Sequence, residues 1–152
     1  MNVEETLDVL HLKLPEPPMP VGAYVPWVRA GNLVFLAGQI PMREGKPVVT
    51  GKLGAGLTTD GVADAVRAAT LSGLAALRAA VGDLDKVTRV VKLTGYVASA
   101  PGFTDQAAVL NHASKLLLAV FGEKGRHARV AVGVAELPLG VPIELEMTFE
   151  VA

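Results

Sequence analysis

Arg129 is the residue around which chemistry is most readily built. It opens an alternating run, Arg129-Val130-Ala131-Val132-Gly133-Val134, in which its same-face neighbours in a strand are Ala131 and Gly133. The pattern predicts a guanidinium with room beside it. A planar, permanently charged fork suits two-point contact with a carboxylate or phosphate. The ordinary alternative is a surface arginine paired with Glu144, Glu146 or Glu150 across a hairpin, and spacing alone favours that alternative.

Glu144 is read onto the same alternating face, where it could hold a water or accept a proton. The plain reading is a solvated glutamate in a strand carrying three acids. Asn111, a poor helix former among apolar neighbours, is a candidate to reach backbone groups or a ligand. Tyr24, following Gly22-Ala23, could present a hydroxyl at a pocket rim, although packing with a wet end is the commoner role. Gly38 ends a strand within Ala37-Gly38-Gln39-Ile40-Pro41, so backbone N–H groups there are expected to face a ligand or simply to turn the chain.

Other arrangements fail on spacing. Gly51-Lys52-Leu53-Gly54-Ala55-Gly56 lacks the Gly-Lys-Ser/Thr ending of a phosphate loop. His11, His112 and His127 have no metal-ligand spacing, so no metal is expected. The three serines, Ser72, Ser99 and Ser114, lie in no Gly-x-Ser-x-Gly elbow. Lys124, Arg126, His127 and Arg129 form a basic cluster better suited to an anion pocket or a solvated turn than to an RNA groove.

A chain of 152 residues fits one domain with a real core. The net charge of −1 gives no global field to attract a phosphate backbone, so nucleic-acid binding is not expected. The absence of cysteine excludes disulfides, thiolate metal sites and thiol nucleophiles. An acidic start without an apolar stretch is not a secretory signal. No segment approaches the roughly 18 apolar residues of a membrane span. A cytoplasmic protein with no membrane partner is expected.

The elements that must position these residues follow from periodicity. Val3, Leu7 and Leu10 predict a short helix over 2–12, and Pro15, Pro17, Pro18 and Pro20 an extended connector, so residues 1–18 are set apart from a domain over 19–152. Strands are predicted at 24–29 and 33–37 around Ala30-Gly31-Asn32, with a Gly-rich loop over 42–57 holding a short edge strand near 47–50. A helix capped by Thr58-Thr59-Asp60 is expected to run to Val81, followed by a strand at 87–98. Ser99 and Pro101 suggest the cap and first turn of a second helix over 102–121. Strands at 128–136 and 143–151 close the chain. The resulting order, β-β-α-β-α-β-β after an N-terminal helix, implies an α+β fold with a mixed sheet and two helices on one face. In the last strand Ile143, Leu145, Met147, Phe149 and Val151 are expected to face the core. In the strand before it Val130, Val132 and Val134 are expected to do the same. The other face, with its small residues, arginine and carboxylates, is expected to meet another subunit.

Gly22-Ala23-Tyr24, Ala37-Gly38-Gln39-Ile40-Pro41, Asn111, and Arg129-Val130-Ala131-Val132 leading to Leu137-Pro138 and Glu144-Leu145-Glu146 together resemble the RidA (YjgF) family, the reactive intermediate deaminases also labelled L-PSP endoribonucleases or translation inhibitors. The likeness runs over about residues 20–151, and residues 1–18 resemble a longer branch. It implies a chorismate-mutase-like fold and a homotrimer with sites between subunits. It further implies hydrolysis of 2-enamine or 2-imino acids to 2-keto acids and ammonia, without metal or cofactor. By that likeness Arg129 clamps the substrate carboxylate and Glu144 holds the attacking water. Backbone groups near Gly38 and Ala131 assist, and Tyr24 and Asn111 line the pocket. Ala37, Ser114 and Ala131 depart from the Ser, aromatic and Cys of the best-known members, which implies either a different substrate or weak activity. A carboxylate-binding trimer without turnover is the alternative, and an endoribonuclease a more remote one.

Overall fold

Strict alternation builds the centre of the molecule. In the computed structural model, which describes residues 1–20 and 22–152, Ile143, Leu145, Met147, Phe149 and Val151 are buried, whereas none of Glu144, Glu146, Thr148 and Glu150 is. The elements in chain order are helix α1 (Val3–Val9), strands β1 (Trp27–Ala30) and β2 (Leu33–Leu36), the short pair β3 (Met42–Arg43) and β4 (Lys46–Pro47), and a second pair β5 (Lys52–Leu53) and β6 (Gly56–Leu57). Helix α2 (Ala63–Val81), strand β7 (Val87–Ala98), helix α3 (Gln106–Phe121), and strands β8 (Ala128–Val134) and β9 (Ile143–Val151) follow. A five-stranded sheet has the order β1-β2-β9-β7-β8, with β7 and β8 parallel and the other neighbours antiparallel. Helices α2 and α3 pack on one face of this sheet. The α+β architecture and major element order agree with the sequence reading.

Three expectations are corrected. First, β8 and β9 do not form a hairpin: β7 lies between them. A strand returning through a helix runs parallel to the one it left, and β7-α3-β8 is such a unit. The following connection caps the end of β7, where Ala98 N donates to Pro142 O at 2.9 Å and Ser99 N to Val134 O at 2.9 Å.

Second, the faces of β8 are the reverse of those expected. Leu93, Gly95 and Val97 point at the helices, and their register partners are Arg129, Ala131 and Gly133. Val130 and Val132 lie on the open face, 41% and 39% exposed. Small residues of β8 and of its neighbour β7 admit α3: a Cβ on Gly133 would stand 2.8 Å from Gln106 Nε2, and one on Gly95 of β7 would overlap Leu110.

Third, both long helices start later than expected. Thr58 Oγ1 accepts from Gly61 N at 3.0 Å in a turn, and α2 begins at Ala63 after Val62. Ser99 does not cap α3. Its hydroxyl donates to Val97 O, and Ala100 N donates to Leu53 O, which ties this segment to β5. The first strand starts at Trp27 rather than Tyr24, β8 stops at Val134, and the stretch 42–57 holds two short pairs in place of one edge strand.

Helix α1 carries a capping box in which Glu5 N donates to Asn2 Oδ1 and Asn2 N to Glu5 Oε2. Val3 and Leu7 enter the common core, while Leu10 stays 38% exposed just beyond the helix. Val3 N donates to Asp85 Oδ1 at 2.9 Å, and Glu4 pairs with Arg78 at 3.0 Å.

Gly125, after α3, approaches that helix closely. A Cβ there would lie 2.5 Å from the carbonyl oxygen of Leu117, and backbone cannot step aside. Gly125→Ala is expected to destabilise the protein by about 2–3 kcal/mol. Denaturant unfolding followed by Trp27 fluorescence checks this, and an unchanged midpoint would refute it.

Candidate functional site

The residues singled out in the sequence gather into two groups. The first lies beside α3 at the edge strand β8. Arg129 Nη1 donates to Asn111 Oδ1 at 2.8 Å and to Ser114 Oγ at 3.1 Å. Asn111 and Ser114 stand three residues apart on α3, the spacing that places two side chains on one helix face. Among the described residues the Nε and Nη2 donors of Arg129 have no protein acceptor, so one flank of the fork is available. The hydrogen bond thus brings together two of the candidate residues, Asn111 and Arg129. Ala131 lies on the same helix-facing side and packs against the core. At Gly133 the space is taken by Gln106 of α3 and by Ser99.

The second group lies on the open face, at the junction of β2, β7 and β9. Gln39 N donates to Leu145 O at 2.8 Å and Leu145 N to Gln39 O at 2.9 Å, which clamps the Gly38-Gln39 segment against β9. Gly38 lies against the Glu144 carboxylate, and an added Cβ would overlap Oε2. Gly38, Tyr96, Leu137, Glu144 and Glu146 line an open concavity of about 280 Å³. Partial burial, followed by the nearby Glu146 charge, pushes the Glu144 carboxyl above its ordinary range. Tyr96 donates its hydroxyl to Glu146 Oε1 at 2.9 Å, and that bond is the main reason its own ionisation is raised.

These groups do not meet within one chain. Arg129 is in register with Leu93 and Glu144 with Tyr96, across two strand spacings and three residues along β7. Their Cα atoms are on the order of 14 Å apart, and their side chains project from opposite faces. The expectation that Arg129 and Glu144 share a face is therefore wrong, and neither forms the cross-hairpin ion pair. Tyr24 lies ahead of β1, 53% exposed, and is not part of the Glu144 concavity.

Three residues absent from the candidate list matter to this geometry. Gln39 is 4% exposed, and its Oε1 accepts from Ser72 Oγ at 2.8 Å while its Nε2 donates to Ala37 O at 3.0 Å. A glutamine between Gly and Ile-Pro at a strand end gave a faint signal of such burial. Tyr96 was legible as an outward position in β7, alternating with Val97. His127, whose Nε2 lies 2.9 Å from Ser114 Oγ, carries no sequence signal beyond its place in a basic cluster and its lack of metal-ligand spacing.

Gly38→Ala is expected to push the Glu144 carboxylate out of the concavity without unfolding the protein, since the opposing atoms end a flexible side chain. A structure of the variant would show the displacement, and an unmoved carboxylate would count against it.

Comparison with known proteins identifies the fold. The family described as "YjgF/chorismate mutase-like, putative endoribonuclease" matches residues 4–147. The chain belongs to the YjgF family. Among YjgF relatives, Protein TCP17 of Trypanosoma cruzi is 47% identical over 151 residues, covering 98% of this chain and 94% of its own. The solved structure of Atu1372 from Agrobacterium tumefaciens, a protein of unknown function, matches with a TM-score of 0.91 at 41% identity, covering 99% of this chain and 92% of its own. TdcF of E. coli, solved with bound serine, has a TM-score of 0.63 at 25% identity, with 92% and 99% covered. The chorismate-mutase-like α+β fold implied by the resemblance is thus that of the YjgF family. Among the described residues no helix is long and apolar enough to cross a membrane.

Proposed function

We propose that this protein hydrolyses 2-imino acids, or their 2-enamine tautomers, to 2-keto acids and ammonia, at sites formed between the subunits of a homotrimer. The observation that carries the reading is the Arg129 fork, anchored through Nη1 with its Nε–Nη2 flank left for a carboxylate. Serine, the molecule bound in the solved TdcF structure, is a carboxylate-bearing compound of comparable size.

The separation of the two groups supports a shared site. Arg129 of one copy and Glu144 of another would face the same ligand if different surfaces of successive copies met. Such a head-to-tail contact closes as a ring. Val28, Phe35, Val130 and Val132 offer apolar surface for this contact on the open face, and β8, an edge strand, leaves one row of backbone groups without a strand partner.

In the proposed reaction the substrate carboxylate sits on Arg129 and the imine carbon faces Glu144. Water oxygen adds to that carbon while its proton passes to the Glu144 carboxylate. That proton then passes to the nitrogen, which completes a carbinolamine. The proton of the new hydroxyl follows the same route through Glu144 to the nitrogen as the carbonyl forms and the C–N bond breaks, releasing ammonia and the keto acid. A carboxyl held above its ordinary range suits both steps. Fixing the carboxylate and one water supplies orientation, which contributes much of the acceleration in such reactions. Ammonia release from imino acids generated by an amino-acid oxidase tests the activity. Wild-type protein is expected to exceed buffer, and a rate equal to buffer removes the deaminase reading. Binding of a 2-keto acid without turnover would leave only a carboxylate-binding protein.

A further inference from the structure

Arg129 is the last member of a chain of hydrogen bonds that the proposed chemistry does not use. His127 Nδ1 lies 2.6 Å from the carbonyl oxygen of Gly125. A carbonyl only accepts, so Nδ1 carries the hydrogen, and in the neutral ring Nε2 is the acceptor. Ser114 Oγ, 2.9 Å away, therefore donates to His127 Nε2. The same oxygen accepts from Arg129 Nη1 at 3.1 Å, and Asn111 Oδ1 takes the other Nη1 hydrogen at 2.8 Å. Donors and acceptors match along the whole series without a conflict.

The far end is fixed by backbone. Gly125 packs against the carbonyl of Leu117 at the end of α3, with no space for a Cβ, so the carbonyl that orients His127 is set by the helix. Arg129 itself stands on an edge strand, where a long side chain samples many rotamers unless it is held. The series transmits the position of α3 through His127 and Ser114 to the guanidinium.

We infer that Ser114 and His127 are positioning residues that preset Arg129 so that its Nε–Nη2 flank, rather than its Nη1 end, receives the ligand carboxylate. The inference rests on the proposed role of Arg129 as carboxylate clamp and adds how the clamp is aimed. Neither residue touches the reacting atoms. Their loss weakens substrate capture and leaves the chemical step in place.

The test uses the full-length protein and 2-oxobutanoate as probe. Ser114→Ala is expected to weaken calorimetric binding about ten-fold, the order of one hydrogen bond to a charged group. Ser114→Thr keeps the hydroxyl and is expected to restore binding to near wild type. His127→Phe is expected to act in the same direction as Ser114→Ala, and the double variant to be no worse than Ser114→Ala, because the two act in series. In imine hydrolysis KM is expected to rise while kcat changes less than about three-fold.

A second readout is independent of the ligand. Nitrogen-15 relaxation at Arg129 Nε–H is expected to show an ordered side chain in wild type and Ser114→Thr, and a looser one in Ser114→Ala. Equal binding and equal order in wild type and Ser114→Ala overturn the inference. If Arg129→Ala binds the probe as wild type does, the clamp reading itself fails. The relaxation measurement then still decides whether the series orders Arg129: loosening upholds the positioning, and unchanged order removes it.

Discussion

Arg129→Ala is expected to lower kcat/KM for imino-acid hydrolysis by roughly 100-fold or more. Each hydrogen bond to a charged group contributes about 1.5–3 kcal/mol net, and a two-point carboxylate contact loses both. Arg129→Lys keeps the charge but not the planar fork and is expected to recover little of this, since an ammonium cannot reproduce the paired donors or the bond to Asn111 and Ser114 together. Steady-state kinetics with ammonia detection measures both variants. If Arg129→Lys matched wild type, charge alone would be at work and the two-point clamp would be wrong.

The same substitution tests where the site lies. Arg129→Ala and Glu144→Gln alone are each expected to keep about one hundredth of wild-type activity or less, because each destroys one half of every site. Coexpressed in equal amounts, they form mixed rings in which some sites pair an intact Arg129 with an intact Glu144 from the neighbouring copy. Random assembly restores about a quarter of the sites. A site contained in one chain can never be rescued this way. Activity absent from the mixed protein would refute the shared site.

The second large effect is that of Glu144→Gln on turnover. Removing a group that relays a proton typically costs 10²–10⁴-fold in rate, whereas carboxylate binding at Arg129 is expected to change little. Stability should move the other way. Burial first, and the Glu146 charge second, hold the Glu144 carboxyl above its ordinary range. The folded protein therefore binds this proton more tightly than the unfolded chain does. The stabilisation from the protonated form is full at low pH and is lost as pH rises through the raised value. Melting temperatures of wild type and Glu144→Gln are expected to lie closer together near about pH 4 than near about pH 8, with the variant favoured at the higher pH. A difference that shrinks as pH rises would show that the ionised carboxylate is not disfavoured in the fold. Glu146→Gln should narrow the gap, since it removes the smaller of the two causes.

Much of the frame could be read from local pattern. Period-two alternation in β9 depends only on the chain itself, and the residues it assigns to the core are the buried ones. The strand 87–98 and the C-terminal ends of α2 and α3 were legible because Gly82 and Gly122, both at positive φ, stop the helices where the pattern ends. Their N-termini were not, because Thr58 and Ser99 spend their side chains on turns and on contacts with neighbouring segments. Choosing between a cap and a turn requires knowing which segment lies alongside.

For the candidate site, the sequence by itself supplied the residues to consider: an arginine, an asparagine, a glutamate and a glycine-glutamine turn. Only the tertiary structure decided how they are divided. In β8, valines alternate with Ala and Gly, and either set can face a helix; the approach of α3 selects the small one, which turns Arg129 toward Asn111 and Ser114. Strand order is likewise non-local, and placing β7 between β8 and β9 separates Arg129 from Glu144 although only fifteen positions part them in the chain. Side-chain types are written residue by residue, whereas the face a strand presents is set by what packs against it.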